Sequence, residues 1–186
     1  MTLTLTIPPA EADKILPPEK DLADAASRGM TVTIKRHLRE KNNSTAPNRH
    51  GLPKSNYYSQ VAETVRGTSA ANRATVEIGP DNENGPGNGI ALHFYGGTVL
   101  PKKKALAVPI NAAVADIWPS EVGEGGTTMF WPKNSSHGFI KDKATGELLW
   151  LLIPKATIPA DPTVLPSDDA LVAAAERAVL PLLEAS

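Results

Sequence analysis

Proline and glycine set the frame for this chain. Together they fill 31 of 186 positions, about a sixth, so most of the backbone must be turns and short connections. Two stretches escape this punctuation long enough for substantial helices. From Pro18 to about Asn42 an approximate helical period appears: Leu22, Ala26, Met30, Ile34 or Thr33, and His37 or Leu38. Pro17-Pro18, Glu19 and Asp21 make an acidic first turn, and Arg36, Arg39 and Lys41 lie toward the other end, as a helix dipole favours. Met30–Ile34 is strand-like in composition and follows Gly29, so a break there is an alternative; one continuous helix is expected. The second stretch starts at Ser167, a capping residue, and runs from Asp168 to Leu183. It places Leu171, Ala174, Ala175, Ala178 and Leu182 on one face and Asp168 and Asp169 in the first turn. Pro181 is expected to bend or end it.

Outside these two helices the pattern is mostly that of strands. Thr2 to Ile7 alternates polar and apolar, with Leu3, Leu5 and Ile7 on one side, which predicts a half-buried strand or an extended arm within residues 1–17. Residues 42–54 form a polar connection, and Ser55 or Asn56 can cap a short helix from Tyr57 to Arg66, ended by Gly67. Arg73–Gly79 alternates like a strand, residues 81–89 read as the loop at a hairpin tip, and Ile90 onward reads as a strand again. Further strands are expected at 98–100, 105–110, 128–131, 137–141 and 147–153, with Asp142–Gly146 joining the last two as a hairpin loop. Residues 154–166 hold four prolines and read as an extended connection, followed by the C-terminal helix at 167–185. The expected fold class is α+β: one domain over residues 1–186, a small antiparallel sheet or sandwich packed with an N-terminal and a C-terminal helix.

The formal net charge of −1 conceals a split. Residues 28–73 carry nine Lys and Arg against Glu40 and Glu63, a net of +7; residues 1–27 are at −3 and residues 156–186 at −4. A basic middle between acidic ends suits like subunits that pack through complementary surfaces. Differently charged solvent faces account for it equally well. Cysteine is absent, which excludes disulfides, thiolate metal sites and a cysteine nucleophile. No apolar run is long enough to span a bilayer, and the first residues lack the basic and continuous apolar regions of a signal peptide, so no membrane partner is expected. Neither glycine-rich stretch is followed by the Lys-Ser/Thr of a phosphate-binding loop, and no Gly-x-Ser-x-Gly elbow occurs. His37, His50, His93 and His137 are scattered without metal-type spacing. No catalytic residue, metal or cofactor is therefore expected. Lys102-Lys103-Lys104 is the densest basic spot, but it has no interleaved aromatics for base stacking. An edge-guarding solvated loop is the favoured reading of it over a phosphate contact.

One segment is more specific. Residues 89–110 contain His93, Tyr95, Gly96-Gly97, Pro101-Lys102, Leu106 and Pro109 in fixed spacing. This resembles the signature of phage virion-morphogenesis proteins, the tail-completion family of Mu-like phages and prophages: a segment with His, an aromatic, Gly-Gly, Thr-Ile/Val, Pro-Lys-Lys, then Leu-x-x-Pro-Ile. Residues 47–62 also resemble a prophage variant of the family, and the likeness is best over residues 30–117. Gly89-Ile90 stands where many members have Tyr-Ala. None of the signature residues is a reacting group; they read as a rigid hairpin between two strands. The resemblance implies a structural virion protein at the head–tail junction, a tail-completion, tail-terminator or neck component in the tail of the particle. It would form a homo-oligomeric ring, a hexamer, between neighbouring connector and tail-tube proteins, with DNA passing through without specific binding. Subunit contacts are expected from Leu3, Leu5, Ile7, Arg36, Arg39, Lys103, Lys104, Asp168 and Asp169, the first three by adding a strand to a neighbour's sheet. Two other classes stand beside this one: a nucleic-acid-contacting phage protein using residues 28–73 and 102–104, and a small phage hydrolase with a triad around His93 or His137.

Overall fold

A computed structural model describes residues 2–6, 17–46, 52, 55–79, 86–115, 117–122 and 125–185. The fold is α+β, as the sequence pattern predicts, with the two long helices at the two ends of the chain and antiparallel sheets between them. Where one domain is expected from the sequence, the residues gather into two compact units. Unit 1 comprises residues 1–44, 56–95 and 160–186; unit 2 comprises residues 45–55 and 96–159.

Unit 1 is built on α1 (Glu19–Ser44) and α4 (Asp168–Glu184), which pack along each other. α1 continues without a break through Gly29, and the structure gives the reason for that glycine. A Cβ there would lie 2.5 Å from the Ala174 carbonyl oxygen and 2.8 Å from the Ala178 Cβ, so the bare backbone is what allows the helices to approach. α1 buries Leu22, Ala26, Met30, Ile34 and Leu38, the predicted stripe, against a three-stranded antiparallel sheet of order β1-β3-β2. These strands are β1 (Thr2–Thr6), β2 (Val65–Ala70) and β3 (Arg73–Ile78). β1 pairs with β3 of its own chain, Leu3 opposite Val76 and Leu5 opposite Ala74, and both leucines pack on the core; Ile7 lies outside the described residues. The N-terminal strand thus has an intrachain partner along one edge.

Three sequence expectations are corrected in this unit. The helix expected from Tyr57 to Arg66 is shorter, α2 (Tyr57–Glu63), and Asn56 sits at its N-cap without a side-chain capping bond. Val65 onward is already β2, because Val65 is needed in the core and Gly67 lies against Ser27 and Thr31 of α1, where a side chain has no room. The hairpin turns at Ala71-Asn72, with Ala71 at φ 46°, and not at residues 81–89, of which 81–85 lie outside the described residues. The segment after them is a 3₁₀ turn (Pro86–Gly89) and a short helix, α3 (Ile90–Tyr95), instead of a strand. Ile90 and Phe94, four apart, both reach the core from one helix face.

Unit 2 contains a two-stranded ladder, β4 (Gly97–Val99) with β9 (Ala156–Ile158), and a four-stranded antiparallel sheet of order β5-β8-β7-β6. Its strands are β5 (Leu106–Pro109), β6 (Thr127–Phe130), β7 (Gly138–Asp142) and β8 (Leu148–Ile153). The β7–β8 turn is held by the Asp142 carboxylate, which accepts from the Ala144 and Thr145 amides at 2.7 and 2.8 Å, with Gly146 at φ 76°. A second core of Val114, Ile140, Leu149, Trp150 and Leu152 belongs to this unit. The Pro-rich 154–166 segment, expected to be merely extended, holds β9 and a 3₁₀ turn at Pro162–Val164. Pro181 does not end α4; it lies in the last turn, where the helix runs on to Glu184.

The α1–α4 contact yields a direct test. Gly29→Ala gains about 1 kcal/mol of helix propensity but forces a methyl into the Ala174 backbone, an overpacking cost of about 1–3 kcal/mol. Net destabilisation in denaturant unfolding is expected, whereas a stabilised variant would show that the helices separate readily.

Candidate interaction surface

Two side-chain constellations stand out, one in each unit. In unit 1, α3 places His93 beside α2, where its ring stacks near Tyr57 at 4.8 Å between centroids and shares a 3.2 Å hydrogen bond between Nδ1 and the Tyr58 hydroxyl. The His93 carbonyl accepts from the Asp161 amide at 2.9 Å. Asp161 in turn organises the 3₁₀ turn ahead of α4: its Oδ1 accepts from the Thr163 amide at 3.0 Å and hydroxyl at 2.6 Å, and its Oδ2 accepts from Lys41 Nζ at 2.8 Å. His37 Nε2 donates to the Thr163 carbonyl at 2.9 Å. The α1 end, α3 and the α4 approach are thereby latched together.

The electrostatics of this latch are structural. Burial holds the His93 imidazole below its ordinary value, opposed in part by the Asp161 charge, and burial raises the Tyr58 hydroxyl. Both shifts favour the neutral forms, so the bond between them is one between neutral groups. Hydrogen bonds from Lys41 and Thr163 bring Asp161 down to about 2. His137 is exposed, with the Ser136 hydroxyl 3.2 Å from its Nδ1. Among the described residues neither histidine bonds to both a hydroxyl and a carboxylate, and no cluster of three metal-ligating side chains occurs. No helix among them is long and apolar enough to cross a membrane.

In unit 2, one face of the four-stranded sheet carries a groove of about 780 Å³. Small residues make its floor: Ala105 and Ala107 on and before β5, with Leu152 and Ile140 between the walls. Trp131 forms one wall. Its indole lies flat on Gly138, whose missing side chain leaves the seat, since a Cβ there would come within 2.5 Å of the ring. Met129 extends that wall, and Trp118, carried by a loop whose Glu121 carboxylate accepts from the Trp118 amide at 2.7 Å, forms the other. Trp118 is 70% and Met129 63% exposed, unusual for side chains of this size. Lys103 and Lys104 stand at the rim.

The signature residues divide between these places. His93 and Tyr95 are on α3, His93 in the latch and Tyr95 exposed. Gly96 adopts φ 72°, the left-handed conformation that stops a helix, so Gly96-Gly97 is a helix stop leading into β4, not the reversal between two strands that the sequence suggests. Pro101 and Lys102 lie in the bend before β5, and Leu106 and Pro109 bracket β5 opposite Ile153 and Trp150. Arg36 and Arg39 pair within the chain, with Glu40 at 3.8 Å and Glu63 at 2.7 Å. Asp168 and Asp169 are exposed in the first turn of α4. The sequence reading missed the groove: its residues come from β5 to β8, the bend before β5 and the Trp118 loop, and only the cluster of Trp118, Met129, Phe130 and Trp131 hinted at it. No protein family, curated protein or solved structure matches the chain.

Two pH-dependent outcomes follow from the latch. His93 sits below its unfolded value of 6.5, so the unfolded chain binds its proton first, and stability falls as the pH drops below about 6.5. His93→Gln should flatten that slope in unfolding midpoints measured from pH 7.5 to 5. Asp161 is depressed, so its contribution is complete above the ordinary carboxylate value of 3.8 and fades as the pH falls toward 2. Asp161→Asn should therefore be less stable than the parent at pH 7 and converge with it near pH 2. A constant gap across that range would show that the ion pair with Lys41 contributes nothing.

Proposed function

We propose that this chain is a structural virion protein of a tailed bacteriophage, a tail-completion or tail-terminator component that forms a ring at the head–tail junction. The observation that carries the reading is the 89–110 signature, whose residues act on the backbone and the packing. Gly96 stops α3, Pro101 shapes the bend, Leu106 and Pro109 frame β5, and His93 joins the latch through a neutral hydrogen bond. A segment that spends its distinctive residues on shape fits a protein whose task is to present surfaces to neighbours. Exposed apolar side chains in both units, Trp118 and Met129 in one and Leu180 and Leu183 in the other, fit the same task. The ring is a homo-oligomer, a hexamer by resemblance, seated between connector and tail-tube proteins.

Contact with DNA is a second reading, favoured by one observation: Lys102, Lys103 and Lys104 are all exposed and form no ion pair among the described residues. It requires DNA affinity that falls steeply with salt. Native mass spectrometry of the full chain tests the first reading, with closed oligomers of a single stoichiometry expected at micromolar concentration. A monomer at every concentration, alone and with phage neck proteins, would end it, and a ring whose DNA affinity is negligible at all salt concentrations would end the second.

A further inference from the structure

α4 has a second apolar face. Leu171, Ala174 and Ala175 point into the unit 1 core, while Leu180 and Leu183 lie on the outer side of the helix, 53% and 41% exposed, with Val172 at the edge of that side next to β1. At 100° per residue, Val172, Glu176, Leu180 and Leu183 form one stripe, in the i, i+4, i+8, i+11 spacing of a helix that packs on a partner. Acids line it: Asp169 and Glu176 are exposed along the stripe and Glu184 ends it, against a single Arg177 on its flank. At 1.5 Å per residue the 17-residue helix is about 25 Å long and offers this stripe over about three turns.

The groove of unit 2 has the opposite character. It is an apolar trough walled by Trp118, Met129 and Trp131, with Lys103 and Lys104 on its rim and Lys102 beside them. Among the described residues no ion pair engages these lysines, and the Glu121 carboxylate is engaged with the Trp118 amide. Among the described helices, α4 is the one that joins an outward apolar stripe to a row of acids.

We infer that the outer face of α4 in one subunit docks into the lysine-rimmed aromatic groove of unit 2 in the next. Leu180 and Leu183 enter the trough between Trp118 and Trp131, and Glu176 meets Lys103 and Lys104. The inference rests on the ring reading and names its contact. Groove and helix are different surfaces of the same chain, so the contact is heterologous, the kind that propagates head to tail and closes into a ring. Two α4 helices facing each other would instead oppose acid to acid.

The natural absence of cysteine makes the test clean. Met129→Cys and Leu180→Cys, both at exposed positions, are prepared as separate full-length proteins, assembled alone or mixed, and oxidised. Disulfide-linked dimers are expected on a non-reducing gel in the mixture only, since each single variant lacks the complementary thiol at the contact. As a second measurement, Glu176→Lys should shift assembly to at least tenfold higher concentration, and Lys104→Glu in the same chain should recover most of that loss. Cross-linking of Leu180→Cys with itself would replace the heterologous contact by a symmetric one and overturn the inference. Oligomers that form by native mass spectrometry without any 129–180 link would overturn it while leaving the ring, and would assign the groove to another protein or ligand. A protein that never oligomerises would overturn the ring and this contact together.

Discussion

The close approach of α1 and α4 is the constraint on which unit 1 depends. Gly29 lets the Ala174 backbone sit where a side chain would otherwise be, and only then can α1 hold α4 on one flank and the β1-β3-β2 sheet on another. Two segments some 140 residues apart thereby close one hydrophobic core, with Ala26, Met30, Ile34 and Leu38 facing Leu171 and Ala175 as well as Val76 and Ile78. The side chains at the helix contact are small, so each helix contributes little area per residue. The stabilisation comes from continuity across helix, helix and sheet in one cluster. The latch from Lys41 to Asp161 and from His37 to Thr163 then fixes how the chain enters α4.

With the two chain ends joined in this way, residues 96–159 can build a separate core of their own. The chain leaves unit 1 at Gly96 and returns at Ala160, and these passages are secured on either side: the His93 carbonyl with the Asp161 amide in unit 1, and Gly97 opposite Ile158 in unit 2. The signature segment falls on the outgoing passage, which explains why it needs a helix stop, a short strand, a proline bend and another strand in twenty residues. Its lysines fall at the bend because that bend is exposed, while Leu106 and Val108 are required by β5.

How far the sequence disclosed this depends on the length of each element. α1 and α4 are long enough for several turns of apolar spacing, and β6, β7 and β8 alternate or run apolar between clear turn residues, so their bounds are read within two residues. α3 has six residues and a single Ile90–Phe94 repeat, which in isolation is indistinguishable from a strand. The β2–β3 turn hides because Ala71, not glycine, takes the positive φ, leaving Asn72 as its one turn-favouring residue. The two-unit organisation left no mark in composition, because the larger segment of unit 2 begins without a linker, at Gly96 directly after α3. The groove was invisible for a different reason: its floor is defined by what is small at positions paired across strands, Ala107 opposite Leu152 opposite Gly138, a relation that exists only once the register is known.

The charge split also changes meaning once geometry is added. Three of the nine basic residues in 28–73 are engaged within the chain, Arg36 and Arg39 with Glu40 and Glu63 of the same segment and Lys41 with Asp161, and exposed pairs of this kind add little stability. Part of the complementarity between the basic middle and the acidic C-terminal segment is therefore an intrachain matter, through Lys41 and Asp161. Outside these intrachain pairs, two exposed features of opposite charge each lie next to exposed apolar side chains: the lysines of the 102–104 bend and the acids on the outer side of α4. Charge beside apolar surface does two things that charge alone does not. The apolar part supplies the driving force of association, and the flanking charges decide which surface is met, penalising α4 against α4 and groove against groove. In the proposed contact, a chain that carries both halves of such a match, each half repelling its own kind, would favour growth in one direction, as closure of a ring requires.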